Sequence, residues 1–165
     1  MCASPFSCLL LSAMQLWTPE SRHLYLERPA VTAARYEALA DAMAAGVQEA
    51  GGSVLEGLEL ASIAGFESEY RADIADCRKS GKSWTVFQVS THRNYACASF
   101  RQGVRVALFR LRESRAMCAR FAEQEQLSYY ATGKCQTSWF SRSRVERARA
   151  WLPACAEMVP GLRCE

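Results

Sequence analysis

Histidine is scarce in this chain: only His23 and His92 occur, far apart. Its cysteines include no CxxC pair. Zinc sites usually need close ligand pairs, so neither a metal nor a cofactor is expected. There is no GxSxG elbow for a serine nucleophile, no P-loop and no dinucleotide fingerprint. There is no internal repeat and no low-complexity tract. The apolar run at residues 6–17 is too short to span a bilayer. No Lys or Arg precedes it, and Gln15, Trp17 and Thr18 make a poor small-residue cleavage site. It is therefore no convincing signal peptide. Residues 1–28 are read as an N-terminal arm or docking segment, and residues 29–165 as the main domain.

What is present suits one compact domain. The chain has 165 residues, 50% of them apolar, and a formal charge of +3. The charge is uneven. Residues 101–150 hold ten Arg and one Lys against four Glu. Such a half could face nucleic acid, a membrane surface or an anionic wall polymer, or simply form solvated helix faces. The Arg residues are scattered and no nucleic-acid motif accompanies them, so no nucleic-acid partner is expected. Eight widely spaced cysteines read as disulfides, hence an extracytoplasmic setting, secreted or virion-associated. Eight Cys permit about 105 pairings, so spacing alone does not fix them. Export inside a phage particle would reconcile the cysteines with the missing signal.

The periodicity is mostly helical. Residues 18–29 read as a loop. From about Ala30, Tyr36, Leu39, Ala40, Met43, Ala44 and Val47 form one apolar stripe, stopped by Gly51-Gly52. Ser53 and Glu56 form a capping box for a helix that is apolar nearly all round, the expected central helix. Glu67 lies at its C-terminal end. Residues 71–83 read as an irregular loop, and 83–90 as a strand or a turn of helix. Ser99 with Gln102 opens a long helix through Met117. A further helix is expected over about 119–131, ending at Gly133. Ser143 with Glu146 starts a last helix through Trp151, stopped by Pro153.

A general acid must keep its proton near neutrality. A carboxyl ending an apolar helix is partly desolvated, which raises its pKa. Glu67 fits that description; Glu69 would point elsewhere. Asp73 and Asp76 could be second carboxylates or plain loop acids. Ser68 beside Glu67 could orient the carboxylate. Trp84 and Phe87 could stack on sugar rings or pack in the core, while Trp139 and Trp151 are assigned to packing.

Three motifs occur in order: Glu67-Ser68 followed by Tyr70, Thr85-Val86-Phe87-Gln88, and Tyr130-Ala131-Thr132-Gly133. They resemble the Glu-Ser-x-Phe/Tyr, Gly-Leu-Met-Gln and Tyr-Asn-Ala-Gly motifs of the lysozyme-like lytic transglycosylases. Thr85 stands where that family has Gly, and Ala131 where it has Asn. The resemblance spans about residues 36–151. It implies a mainly α, lysozyme-like helical domain with a small irregular or β region beside the cleft. It also implies peptidoglycan glycan strands as substrate. Glu67 would be the sole acid/base, with Ser68, Phe87, Gln88 and Tyr130 around the sugar. The alternative is a catalytically weak or inactive structural or wall-binding protein on the same fold, associated with a phage particle or exported assembly. Cys77 and Cys97 bracket the Gln88 segment, and Cys118 and Cys135 bracket Tyr130. Bridges 77–97 and 118–135 would brace both cleft walls. Cys155 and Cys164 could staple the tail; Cys2 and Cys8 need not pair.

Overall fold

The computed structural model describes residues 2–20, 27–78, 85–89 and 93–165. Among these the secondary structure is helical and contains no strand. The helices are α1 (Pro5–Trp17), α2 (Pro29–Glu49), α3 (Val54–Ser68), α4 (Ala72–Ala75) and α5 (Arg93–Ala96), followed by α6 (Phe100–Met117), α7 (Ser128–Thr132), α8 (Trp139–Arg149) and α9 (Leu152–Met158). The Thr85-Val86-Phe87-Gln88 motif is a turn rather than a strand, with a single bridge residue at Val89.

α3 is the axis of the fold, packed by α1, α2, α6, α8 and α9. Its start is specified locally. Ser53 Oγ accepts from the Glu56 N–H (3.3 Å), and Glu56 accepts from the Ser53 N–H (2.9 Å). The next two N–H groups, of Val54 and Leu55, donate to the carbonyls of Arg163 and Cys164. The tail thus satisfies donors that a helix N-terminus leaves open, and the Cys155–Cys164 bridge holds it there.

The expected stripe of α2, from Tyr36 to Val47, is buried throughout. α1 is a docked helix and not a loose arm. Ser4 caps it, Pro5 opens it, and Phe6, Leu9, Leu10, Ala13 and Met14 lie in the same core as α2 and α3. Gly57 permits this approach, because a Cβ there would meet the Phe6 ring at 2.6 Å. The Cys2–Cys8 bridge ties down the start of the segment.

Two expected helices differ from the structure. In place of one helix over 119–131 there is a 3-10 turn, Glu123–Glu125, and then α7. Glu125 is buried, where it accepts from the Ser138 N–H (2.6 Å) and pairs with Arg142. Ser114 Oγ donates to the Gln126 carbonyl (2.7 Å) and accepts from the Tyr130 N–H (2.9 Å). These tertiary bonds replace helical ones. α8 begins at Trp139 rather than near Ser143, capped by Ser138. Pro153 opens α9 instead of ending α8, a position where its missing N–H costs nothing.

The uneven charge resolves into internal pairs. Glu56 and Glu59 are three residues apart on α3; Arg112 and Arg115 are three apart on α6. Glu56 receives two bonds from Arg112 (2.7 and 3.0 Å), and Glu59 receives Arg115 on both oxygens (2.7 Å). Spacing of three places each pair on one helix face, so the two contacts fix the register of α6 on α3. Arg101 and Arg105 reach Glu49, and Arg149 reaches Glu123. Most cations of the basic half are therefore paired with carboxylates of the same molecule.

Glu59 is fully buried, and burial pushes its pKa up to about 7 against the pull of Arg115. A raised acid favours folding below its unfolded value, near 4.5, and loses that contribution as pH rises through 7. Arg115→Met is expected to destabilise the protein by roughly 1–3 kcal/mol at neutral pH, because it leaves the buried Glu59 carboxyl without its hydrogen-bond donor. The loss should shrink at pH 5, where Glu59 takes a proton, and Glu59→Leu with Arg115→Met should recover most of it. Urea midpoints at the two pH values check this.

Candidate functional site

Glu67 sits in the last turn of α3. The chain then makes two successive left-handed residues, Glu69 (φ 50°) and Tyr70 (φ 56°). Tyr70 tucks back under the helix, where its hydroxyl donates to the Ala61 carbonyl (2.5 Å). Gly65 makes room, since a Cβ there would stand 2.9 Å from that hydroxyl. Arg35 donates to the Tyr70 carbonyl (2.7 Å) from α2. Ser68 Oγ donates to the Ala64 carbonyl (2.8 Å) and accepts from the Tyr70 N–H (3.2 Å). Ser68 is buried, so its hydroxyl shapes the turn that presents Glu67 and is not turned to a ligand.

The Glu67 side chain is 29% exposed, and its Oε1 lies 3.5 Å from Arg144 Nη2 on α8. Two influences oppose each other. Burial raises the carboxyl pKa, and the Arg144 guanidinium lowers it; burial wins, and the net shift is upward. The contact with Arg144 is loose for a hydrogen bond. Arg144 Nη1 is committed instead to the Phe140 carbonyl (3.0 Å) and Ser143 Oγ (3.1 Å). Its guanidinium lies between the rings of Phe140 (3.3 Å) and Phe66 (4.0 Å). Desolvation there lowers the Arg144 pKa to about 10, so it remains a cation at neutral pH. The site is a half-buried carboxyl facing a fixed cation.

Tyr130, on α7, belongs to the same neighbourhood. Its phenol pKa is raised, first by burial and then by the charge of Glu67. Its hydroxyl donates to the Phe87 carbonyl (2.9 Å), tying α7 to the 85–89 turn. Gln88 is half-buried in that turn, and its side-chain amide donates to the Thr85 carbonyl (3.1 Å). Phe87 is corrected: its ring is 1% exposed, so it supports the turn from the core and offers no face to a sugar. Trp84 lies outside the described residues. Asp73, in the short helix α4 that replaces the start of the expected loop, pairs with Arg71, and Asp76, which ends that helix, pairs with Arg78.

The turn is strained. Thr85 has φ 62° and Gln88 φ 51°, values unusual for any residue but glycine and especially for a β-branched one. Thr85 is thus held in a left-handed conformation that glycine adopts most readily. Gly103 of α6 accommodates it, since a Cβ there would meet the Thr85 methyl at 3.3 Å. The Cys77–Cys97 and Cys118–Cys135 bridges brace the surroundings. A pocket of about 400 Å³ lies behind the turn, lined by Leu39, Asp76, Thr85, Phe87, Ser99 and Phe100 among others. Glu67, Gln88 and Tyr130 do not line it. Among the described residues no three His, Cys, Asp or Glu gather as a metal would require, and no helix is long and apolar enough to cross a membrane.

Sequence reasoning missed Arg144, Phe66 and Trp139. The signal for Arg144 was its spacing of four from Phe140 on one helix, which stacks the pair. Trp139, assigned to packing, is 74% exposed. Arg144→Met should preserve the ring sandwich but remove the opposing charge. The Glu67 pKa is then expected to rise above its wild-type value, read by carboxyl carbon chemical shifts across a pH titration. An unchanged or lower value would show that Arg144 does not act on Glu67.

No protein-family model, no curated protein and no solved structure matches this chain.

Proposed function

We propose that the protein cleaves the glycan strands of peptidoglycan, with Glu67 as its single acid/base, on a lysozyme-like helical domain. The observation that carries this reading is the half-buried Glu67 carboxyl, raised in pKa at the end of α3. Such a group holds its proton closer to neutrality than a solvated glutamate, which is what a general acid needs. The three ordered motifs add the substrate class. Glu67 gives its proton to the oxygen between N-acetylmuramic acid and N-acetylglucosamine as the glycosidic bond breaks. The resulting carboxylate faces Arg144, a cation already in place at 3.5 Å. It then takes the proton of the muramyl 6-hydroxyl, whose oxygen bonds to the anomeric carbon and closes an anhydro ring. No enzyme nucleophile is required. Tyr130, held by its bond to the Phe87 carbonyl, is near enough to Glu67 to feel its charge, which supports a place for it beside the sugar. Four disulfides fit an oxidising setting, secreted or in a virion.

The Arg144 contact also favours a second reading. An ion pair at the end of a core helix could serve structure alone, in a wall-binding or particle protein without catalysis. Mass spectrometry of peptidoglycan incubated with the protein separates the readings. Anhydro-muramyl ends are expected; reducing ends would indicate hydrolysis, and intact strands the non-catalytic protein. Glu67→Gln keeps the shape and removes the proton donor. Cleavage should fall by ~10²–10⁴-fold, while thermal unfolding stays cooperative. A Glu67→Gln protein that cleaves at the wild-type rate would sink the assignment.

A further inference from the structure

Trp139 is the most exposed large apolar side chain among the described residues, at 74%. Burying so large an apolar side chain would stabilise the fold, which instead leaves it in water. A single exposed aromatic needs no explanation by itself. What distinguishes Trp139 is how firmly and where it is held. It is the first residue of α8. The residue before it, Ser138, donates its N–H to buried Glu125 (2.6 Å) and accepts from the Ser141 N–H (3.4 Å). Four residues earlier, Cys135 is bridged to Cys118. The indole meets the Phe66 ring edge-on, with centroids 6.0 Å apart and planes at 86°.

Phe66 is the neighbour of Glu67 in the chain, and its ring stacks on both Arg144 (4.0 Å) and Arg147 (4.1 Å). Trp139 is therefore one ring contact from Phe66, and Arg144 links Phe66 to Glu67. Along α8 it stands five residues from Arg144, about 7.5 Å at the helical rise. Its connection to the carboxyl runs through the Phe66 ring and the Arg144 guanidinium.

We propose that Trp139 is a substrate-contacting residue, a platform on which one amino-sugar ring of the glycan strand stacks beside the bond presented to Glu67. A rigid, flat apolar face with a polar rim suits a pyranose, which has an apolar C–H face and hydroxyls at its edge. The platform is preformed, so little ordering entropy opposes binding. The ring it holds belongs to the strand flanking the cleaved bond. Its loss weakens substrate and transition state alike, a change in KM and not in kcat. This assignment rests on the reading of Glu67 as the acid.

The test compares wild type, Trp139→Ala and Trp139→Phe on peptidoglycan glycan strands. It also measures binding of a GlcNAc–MurNAc tetrasaccharide to each from the shift of the Trp139 indole N–H resonance or, in the variants, of nearby amides. Trp139 is exposed, so both variants should fold, as circular dichroism will show. Trp139→Ala is expected to raise KM about ten-fold with kcat nearly unchanged, and Trp139→Phe to recover part of the loss. If wild type cleaves and Trp139→Ala has an unaltered KM, the platform is refuted and Glu67 stands. If wild type does not cleave, the reading of Glu67 fails, and the binding arm decides Trp139 by itself. A tetrasaccharide that shifts the indole and binds Trp139→Ala more weakly supports the platform; no shift overturns it.

Discussion

Three carboxylates project from one buried helix, and each is met by an arginine of another helix. Glu56 and Glu59 meet Arg112 and Arg115 of α6, and Glu67 meets Arg144 of α8. This pairing is the constraint on which the rest depends. A helix as apolar as α3 could rotate or slide among its neighbours at little cost in apolar contact. Two buried carboxylates cannot, because an unpaired one costs several kcal/mol. Register is thus set at the start of the helix by charge, and it decides where the last turn emerges. The same chemistry has a different consequence at each site. At Glu56, burial raises the pKa but the bonds from Arg112 and Ser53 outweigh it, and the net shift is downward. At Glu59 and Glu67 burial prevails. Only Glu67 of the two keeps an exposed face from which a proton could leave.

The second constraint is in the backbone. Every non-glycine residue with positive φ among the described residues lies between positions 69 and 88: Glu69, Tyr70, Cys77, Thr85 and Gln88. Such conformations cost of order 1–3 kcal/mol each and persist only where the surroundings impose them. Here the impositions are visible. Tyr70 is locked beneath α3 by Ala61 and Arg35, Cys77 is bridged to Cys97, and Thr85 fits against Gly103. The strain connects the end of α3 to the turn that receives the Tyr130 hydroxyl. Unusual backbone is thus concentrated between the end of α3 and the 85–89 turn.

What was legible in the sequence was local. The stripe of α2, the Ser53–Glu56 box and the Ser99 cap depend on residues three or four apart, and the structure has all three. The pairings Cys77–Cys97 and Cys118–Cys135 followed from the motifs they enclose, and both bridges are present. What failed was decided at a distance. Ser143 and Glu146 imitate a capping box inside α8, but Ser143 Oγ donates back to the Phe140 carbonyl, a common alternative for a serine within a helix. The true cap, Ser138, has Ser141 at the third position and carries no such signature. The helix over 119–131 was broken by Ser114 and Glu125, whose partners are up to 17 residues away in the chain. Phe87 and Trp139 differ from expectation because burial is a tertiary property: the residue offered to sugar is in the core, and the one assigned to packing is exposed.

Three glutamates are sorted by their arginines and their burial. Residue-resolved carboxyl titration of the wild-type protein, with carbon-13 in its glutamates, measures this most directly. Glu56 is expected to titrate below 4.5, and Glu59 and Glu67 above it. A Glu67 that titrates below 4.5 would mean that Arg144 outweighs burial, leaving a permanently ionised ion pair and no acid for the chemistry proposed.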